Sequence, residues 1–407
     1  MNILMISHRW QRGAFARSHA MAWQLVQKGH HVTLVLVSEY GRLHFKEYEW
    51  EGVHTVDTPD MLWGRMRSGW DPWNALSRIY FLNRDKTPYD LVHCFETRPA
   101  TIYPALFFVK RKGLPLLTDW NDWYGRKGLI EVNRPKWYRY LFGWVETYYE
   151  EAFRAKAAGL TVISKSLAQR ALQLGVSPER LCHIPGGAFL DWFVYRSKQD
   201  CRRHVGLSEV DIVLGFSSAD SHLDMRIVFA SLAIVAHKYP NVKLMITGKV
   251  KQSVLSLAED CKVLDRLWCV GYLPFEELPW YLGCADIFLL PMEDRPYNRG
   301  RWPNKMCDYM SLGRPTVANP VGDIKDLFDR HQVGYTADWD ENDFAEKIMM
   351  LIANPEQCEV IGRSARQVVE QEYDWRILAG KLFDFYQLIL SLEHSKGPRF
   401  NDIRVSR

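Results

Sequence analysis

Residues 298–319 read NRGRWPNKMCDYMSLGRPTVAN. Pro303 suits the first turn of a helix, and Gly313 with Pro315 suits its end, so the spacing predicts a helix over 303–312. PTVAN (315–319) then reads as a short buried strand. Arg299 and Arg301 precede the helix and Lys305 falls in its first turn. Free N–H groups and the helix dipole attract phosphate, and three cations there suit a diphosphate. Asn304 and Asp308 are four apart and share a face. A carboxylate one turn in can accept hydrogen bonds from sugar or ribose hydroxyls. The same residues also fit a solvated basic loop with Asp308 as a surface charge.

Outward from this helix–strand unit, the alternation continues through the chain. NILMIS (2–7), HVTLVLV (31–37), DLVHCF (90–95), PLLTDW (115–120) and LTVIS (160–164) are short apolar runs separated by helical patterns. The series restarts with DIVLGFS (211–217), VKLMITG (242–248), RLWCVGY (266–272), DIFLLP (286–291) and PTVAN. This rhythm predicts α/β architecture with two doubly wound parallel sheets in tandem. The turn-rich segment 183–200 is the expected linker. The boundaries are a first domain over 1–190, a second over 191–375, a helix over 376–392 and a polar tail over 393–407.

The chain has 407 residues and a formal net charge of +4. Residues 1–190 carry 25 Lys+Arg against 17 Asp+Glu, and ten of the 16 tryptophans precede residue 150. A basic, aromatic first half suits an anionic partner or a membrane surface, or a solvated basic face. The segments 61–84 and 134–159 concentrate this character, which also fits ordinary helix packing. The eight cysteines form no CxxC pair and no Cys/His cluster, which argues against a zinc site and a disulfide framework. That usage suits the reducing cytoplasm. No run approaches the length of a membrane span, the N-terminal run is too short for a signal peptide, and no nucleic-acid-binding module is recognisable.

DYMSLGRPTVANPVGDIKDLF resembles the donor-site signature of GT-B glycosyltransferases, particularly glycosyltransferase family 4. GVSPERLCHIPGGAFLDWF, HKYPNVKLMITG and VGYLPFEELPWYLGCADIFLLP before it, and QEYDWRILAGKLFDFY (371–386) after it, resemble the family's surrounding segments in order. The resemblance is good over about 160–390 and weaker at 1–40. It implies the GT-B fold, two Rossmann-like domains facing a central cleft, with the C-terminal helix crossing back to the first. It further implies a retaining transferase without an essential metal or other cofactor. The donor would be a UDP- or GDP-linked sugar, and the acceptor a glycan or lipid-linked molecule in surface polysaccharide assembly. The expected location is the cytoplasm, with possible peripheral membrane contact.

By this resemblance Asp308 matches the second acid of the family's Glu-x7-Glu pair, which holds the ribose. The first acid falls at Gly300, which has no carboxylate. The Arg and Lys that usually neutralise the diphosphate are replaced at about Ser217 and Asp224. Ser217 and His222 can donate to phosphate or sugar oxygens, with Arg299, Arg301 and Lys305 supplying charge from the other side. Gly13 matches the family's glycine loop, and His93 falls near the end of its Asp-Val-Val-His strand. Asp119 and Asp122 frame the strand end where the family usually has Thr-x-His-Asp. They are candidates for orienting the acceptor hydroxyl or stabilising an oxocarbenium-like centre. Two other readings stay open: a degenerate GT-B scaffold without turnover, supported by the missing acid, and a nucleotide-sugar epimerase.

Overall fold

The computed structural model describes residues 1–8, 16–38, 43–61, 69–217 and 222–395. The chain divides into two compact units, Met1–Pro185 with Trp375–Arg407, and Gly186–Asp374.

The first unit is built on eight strands: β1 (Asn2–Ser7), β2 (His31–Val37), β3 (Lys46–Trp50), β4 (Val53–Thr58), β5 (Leu91–Phe95), β6 (Leu116–Trp120), β7 (Gly159–Val162) and β8 (Leu181–His183). Their order is β3-β4-β2-β1-β5-β6-β7-β8. The chain moves outward from β1 on one side and returns to β5 on the other. Such a reversal leaves a crevice at the carboxyl ends of β1 and β5, where open α/β sheets bind ligands. Strands β1, β5 and β6 are almost wholly buried because helices cover both faces. The all-parallel expectation fails at one edge, where β3 pairs antiparallel with β4. KEYEW is largely exposed and polar, so a hairpin strand suits it better than a buried parallel strand.

The second unit carries β9 (Ile212–Ser217), β10 (Val242–Thr247), β11 (Leu267–Gly271), β12 (Ile287–Leu290), β13 (Thr316–Ala318) and β14 (Gly334–Thr336). Its order, β11-β10-β9-β12-β13-β14, is parallel throughout and switches at β9 and β12. One core cluster joins Leu214, Leu244, Ile246, Ile287, Leu289 and Val317 of the sheet to Val228, Leu232, Phe344 and Ile348 of two helices.

The last helix, Trp375–His394, belongs to the first unit. Leu378, Leu382, Phe385, Tyr386 and Ile389 form its buried stripe. The Tyr386 hydroxyl lies 2.7 Å from His93 Nδ1, and Arg180 reaches Glu393 at 2.8 Å.

Candidate functional site

In the second unit, the decisive helix runs Lys305–Ser311, two residues later than the proline placement suggests. Pro303 and Asn304 instead form the turn that leads in, with Met306 N–H donating to Pro303 O and Cys307 N–H to Asn304 O, both at 2.9 Å. Asn304 is exposed, and a Cβ at Gly186 would collide with its side-chain oxygen, so this turn sits tightly against glycine backbone.

The helix is bound to the carboxyl end of β9 at both faces of Ser217. Ser217 N–H donates to the Tyr309 hydroxyl at 2.9 Å, and Lys305 Nζ donates to Ser217 O at 2.8 Å. Lys305 also lies 4.3 Å from the centre of the Phe216 ring. Tyr309 stacks on Phe288 of β12 at 3.8 Å, which fixes the helix over the switch point. Lys305 is thus held at the strand end, and the Ser217 hydroxyl, 3.2 Å from Thr247 Oγ1, stands beside it.

Asp308 is half-buried, and no hydrogen-bond donor among the described residues reaches its carboxyl. Burial pushes its carboxyl up to about 7, against the opposing pull of the Lys305 charge. Arg301 is also half-buried, and its buried Nε has no hydrogen-bond partner among the described residues. A carboxyl and a guanidinium with unused hydrogen-bonding capacity suit a ligand that supplies both donors and anionic oxygens.

Arg299 stands differently from its neighbours. Its Nε and Nη2 meet Asp294 at 2.5 and 2.6 Å in an exposed, bidentate pair. Gly300 supplies no acid, and the nearby Glu293 pairs with Arg295. Arg314, inside the same sequence signature, is buried and clamps the carbonyls of Ala285, Leu312, Gly313, Gly283 and Arg196. Gly13 and the side chain of His222 lie outside the described residues; the His222 backbone opens the helix His222–Lys238.

In the first unit, Asp119 is the penultimate residue of β6 and is fully buried. Arg17 grips it with Nε at 3.2 and 3.0 Å and Nη2 at 3.0 Å, and the Thr161 hydroxyl donates to it at 2.6 Å. Burial alone would raise its carboxyl; the Arg17 charge and hydrogen bonds outweigh that and hold it below the usual range. His93 is fully buried, with Nε2 3.1 Å from Thr161 Oγ1 and Nδ1 on Tyr386. Desolvation pushes its imidazole down to about 4, so it stays neutral near pH 7. Asp119 and His93 therefore share one closed network through Thr161. Asp122 lies apart from it, half-buried in the following loop, where the Tyr124 hydroxyl donates to it at 3.1 Å.

One residue of this strand-end region is absent from the sequence expectations. Glu96, directly after β5, has φ of +67°, an unusual left-handed conformation for a carboxylate side chain. It is buried and accepts from Asn121 N–H at 3.0 Å and Arg154 Nη2 at 3.3 Å. Burial pushes its carboxyl up to about 7 despite the Arg154 charge. Only its place at a strand end distinguishes it in the sequence.

Two family models match the chain, Glycosyltransferase Family 4 over residues 12–192 and Glycosyl transferases group 1 over residues 213–354. The GDP-mannose-dependent alpha-(1-6)-phosphatidylinositol monomannoside mannosyltransferase of Mycobacterium tuberculosis is 23% identical over 212 residues, 50% of this chain and 54% of that protein. The chain thus spans about half the length of this curated relative. Among solved structures, sucrose-phosphate synthase from Thermosynechococcus elongatus superposes with a TM-score of 0.74 at 16% identity, over 96% of this chain and 99% of that one. Anabaena Alr3699/HepE in complex with UDP and glucose gives 0.69 at 14%, over 95% and 99%. The structural likeness establishes the fold, and one matched model falls on each of the two units. The chain belongs to the family 4-like glycosyltransferases of GT-B fold.

Proposed function

We propose that the protein transfers a glycosyl group, with retention, from a nucleotide-diphospho-sugar to a glycan or lipid-linked acceptor. The observation that carries this reading is the Asp308 carboxyl, half-buried without a hydrogen-bond donor among the described residues and within reach of the charge of Lys305, which is itself held at the β9 end. Ribose hydroxyls would satisfy Asp308, and the diphosphate would meet Lys305, Arg301 and the Ser217 hydroxyl. Cations placed where negative charge develops stabilise a departing diphosphate, which lets the chain's own residues serve without a metal. Asp122 is the candidate acceptor-side carboxylate, and Asp119 positions Arg17. The relative's GDP-mannose dependence and the UDP held by HepE support a nucleotide-linked donor, with the base open between the two.

The test is a binding and hydrolysis screen with UDP- and GDP-sugars on the wild type, Asp308→Ala and the Arg301→Ala/Lys305→Ala pair. Saturable binding of one nucleotide, weakened in both variants and accompanied by slow sugar release, is the expected result. Well-folded protein that binds neither nucleotide would overturn the reading and favour the scaffold without turnover.

A further inference from the structure

The helix Lys136–Glu151 in the first unit is inside out. Its buried residues are Gly143, Glu146 and Glu150, which lie on one face at helical spacing. Its opposite face carries Trp137, Tyr140, Leu141, Trp144 and Tyr148, which at 3.6 residues per turn fall within an arc of about 100°. Trp137, Tyr140 and Trp144 are 61%, 87% and 60% exposed. An amphipathic helix ordinarily turns its apolar stripe to the core, and a contiguous exposed apolar face marks an interaction surface.

The buried carboxylates explain why the helix cannot turn over. Glu150 accepts from Trp120 Nε1 at 3.0 Å, Tyr124 N–H at 2.8 Å and Gly125 N–H at 2.6 Å. Glu146 meets Arg98 at 3.7 Å and Arg134 at 4.0 Å, and accepts from the Tyr138 hydroxyl at 3.3 Å. Rotating the aromatic stripe inward would strand these groups without partners. The aromatic face is therefore held outward by the fold. It continues onto the helix Pro99–Lys112, where exposed Tyr103 lies 2.6 Å from the Tyr149 hydroxyl and exposed Leu106 and Phe107 follow.

Charge decides between the occupants of such a face. Arg126, whose N–H donates to the Thr147 hydroxyl at 3.0 Å, and Lys127 border the C-terminal half of the helix, and Lys136 opens its N-terminal end; all three are exposed and make no side-chain ion pair among the described residues. Arg134 and Arg139 add to the N-terminal end, and Glu131 is the one acid among residues 126–140. An antiparallel two-fold pairing of this helix with a second copy would set the cations at one end against those at the other. Tryptophan and tyrosine beside lysine and arginine match the headgroup layer of an anionic bilayer, where the rings sit at the interface and the cations meet phosphate.

We propose that the outward face of Lys136–Glu151 docks this protein on an anionic lipid bilayer. Among the described residues no helix is long and apolar enough to cross a membrane, so this contact is peripheral. The docking rests on this surface alone. The same helix fixes, through Glu150, the loop that holds Asp122, so docking would hold the candidate acceptor carboxylate at the lipid surface; that consequence rests on the transferase reading.

The experiment is flotation of the full chain with phosphatidylcholine vesicles, with and without phosphatidylglycerol, at low and high salt, with nucleotide binding measured on the same samples. Wild type should float with the anionic vesicles and be released by salt. The Trp137→Gln/Tyr140→Gln/Trp144→Gln variant should bind about a hundredfold more weakly, because apolar burial is lost. The Lys127→Gln/Lys136→Gln variant should lose about fivefold per charge at low salt and keep its fold, guarding against misfolding of the first variant. Wild type that binds neither vesicle, binds both equally, or conceals the aromatic face in a concentration-dependent dimer would overturn the proposal. Nucleotide binding is expected to be unchanged in both variants, so loss of docking is distinguishable from failure of the transferase reading.

Discussion

The strand ends of the two units look alike in sequence and differ in how far their polar groups are satisfied. At the end of β6, Asp119 takes donors from Arg17 and Thr161, and Thr161 meets His93, which meets Tyr386. Near the end of β9, Asp308 takes no donor among the described residues, and Arg301 keeps a buried Nε without a partner. A buried group that is fully paired stabilises the fold and has little capacity left for a substrate. A buried group that is unpaired costs stability, and that cost has a reason when a ligand supplies the missing partner. Two aspartates expected to act on substrate therefore differ in state: Asp119 is fully paired within the fold, and Asp308 takes no donor among the described residues.

The sharpest way to break this comparison is to remove one member of the closed network. Asp119→Ala leaves the Arg17 guanidinium buried without its carboxylate and should destabilise the first unit by about 3–5 kcal/mol. Chemical denaturation followed by a probe in that unit measures it. An unchanged midpoint would show that the network is not structural. The matching change in the second unit should have the opposite character. Asp308→Ala should weaken nucleotide binding about tenfold to a hundredfold, as expected for hydrogen bonds to a charged group, without lowering stability. Titration calorimetry and denaturation on one preparation test both halves.

The Asp308 environment also has a pH signature. Its carboxyl titrates at about 7 in the folded protein against an ordinary value of 3.8. Between those values the folded state holds the proton and the unfolded state has released it, so this group makes stability fall as pH rises through the window. Asp308→Asn should flatten that fall, and unfolding midpoints compared at the two ends of the window would show it. The smallest effects separate neighbouring cations. Arg301→Ala should weaken nucleotide binding by about tenfold. Arg299→Ala, which removes only an exposed pair with Asp294, should change stability by about 0–1 kcal/mol and affinity little. Equal losses in both would place Arg299 in the site.

The architecture was largely legible. NILMIS, HVTLVLV and DIFLLP are too apolar and too short for anything but buried strands in an α/β alternation, and each falls on a strand. KEYEW escaped because an exposed edge strand needs no apolar run, and Leu181–His183 and Gly334–Thr336 because three residues carry no period. At the candidate site, residue types and spacing singled out Asp308 and Lys305. They did not single out Glu96, whose distinction is a left-handed backbone at a strand end.

By itself the sequence determined the two-unit α/β plan, the helix–strand unit around Asp308 and the family, since these depend on local periodicity and ordered motifs. Only the tertiary structure decided which polar groups are already satisfied. Arg17 and Asp119 are 102 residues apart, and His93 and Tyr386 are 293 apart. It likewise decided that Glu146 and Glu150 face inward and Trp137 and Trp144 outward. Hydrophobic pattern places the apolar face of Lys136–Glu151 toward the core. Hydrogen bonds from Trp120, Tyr124 and Gly125 to Glu150 reverse that orientation, because leaving those donors and the carboxylate unpaired would cost more than exposing the rings.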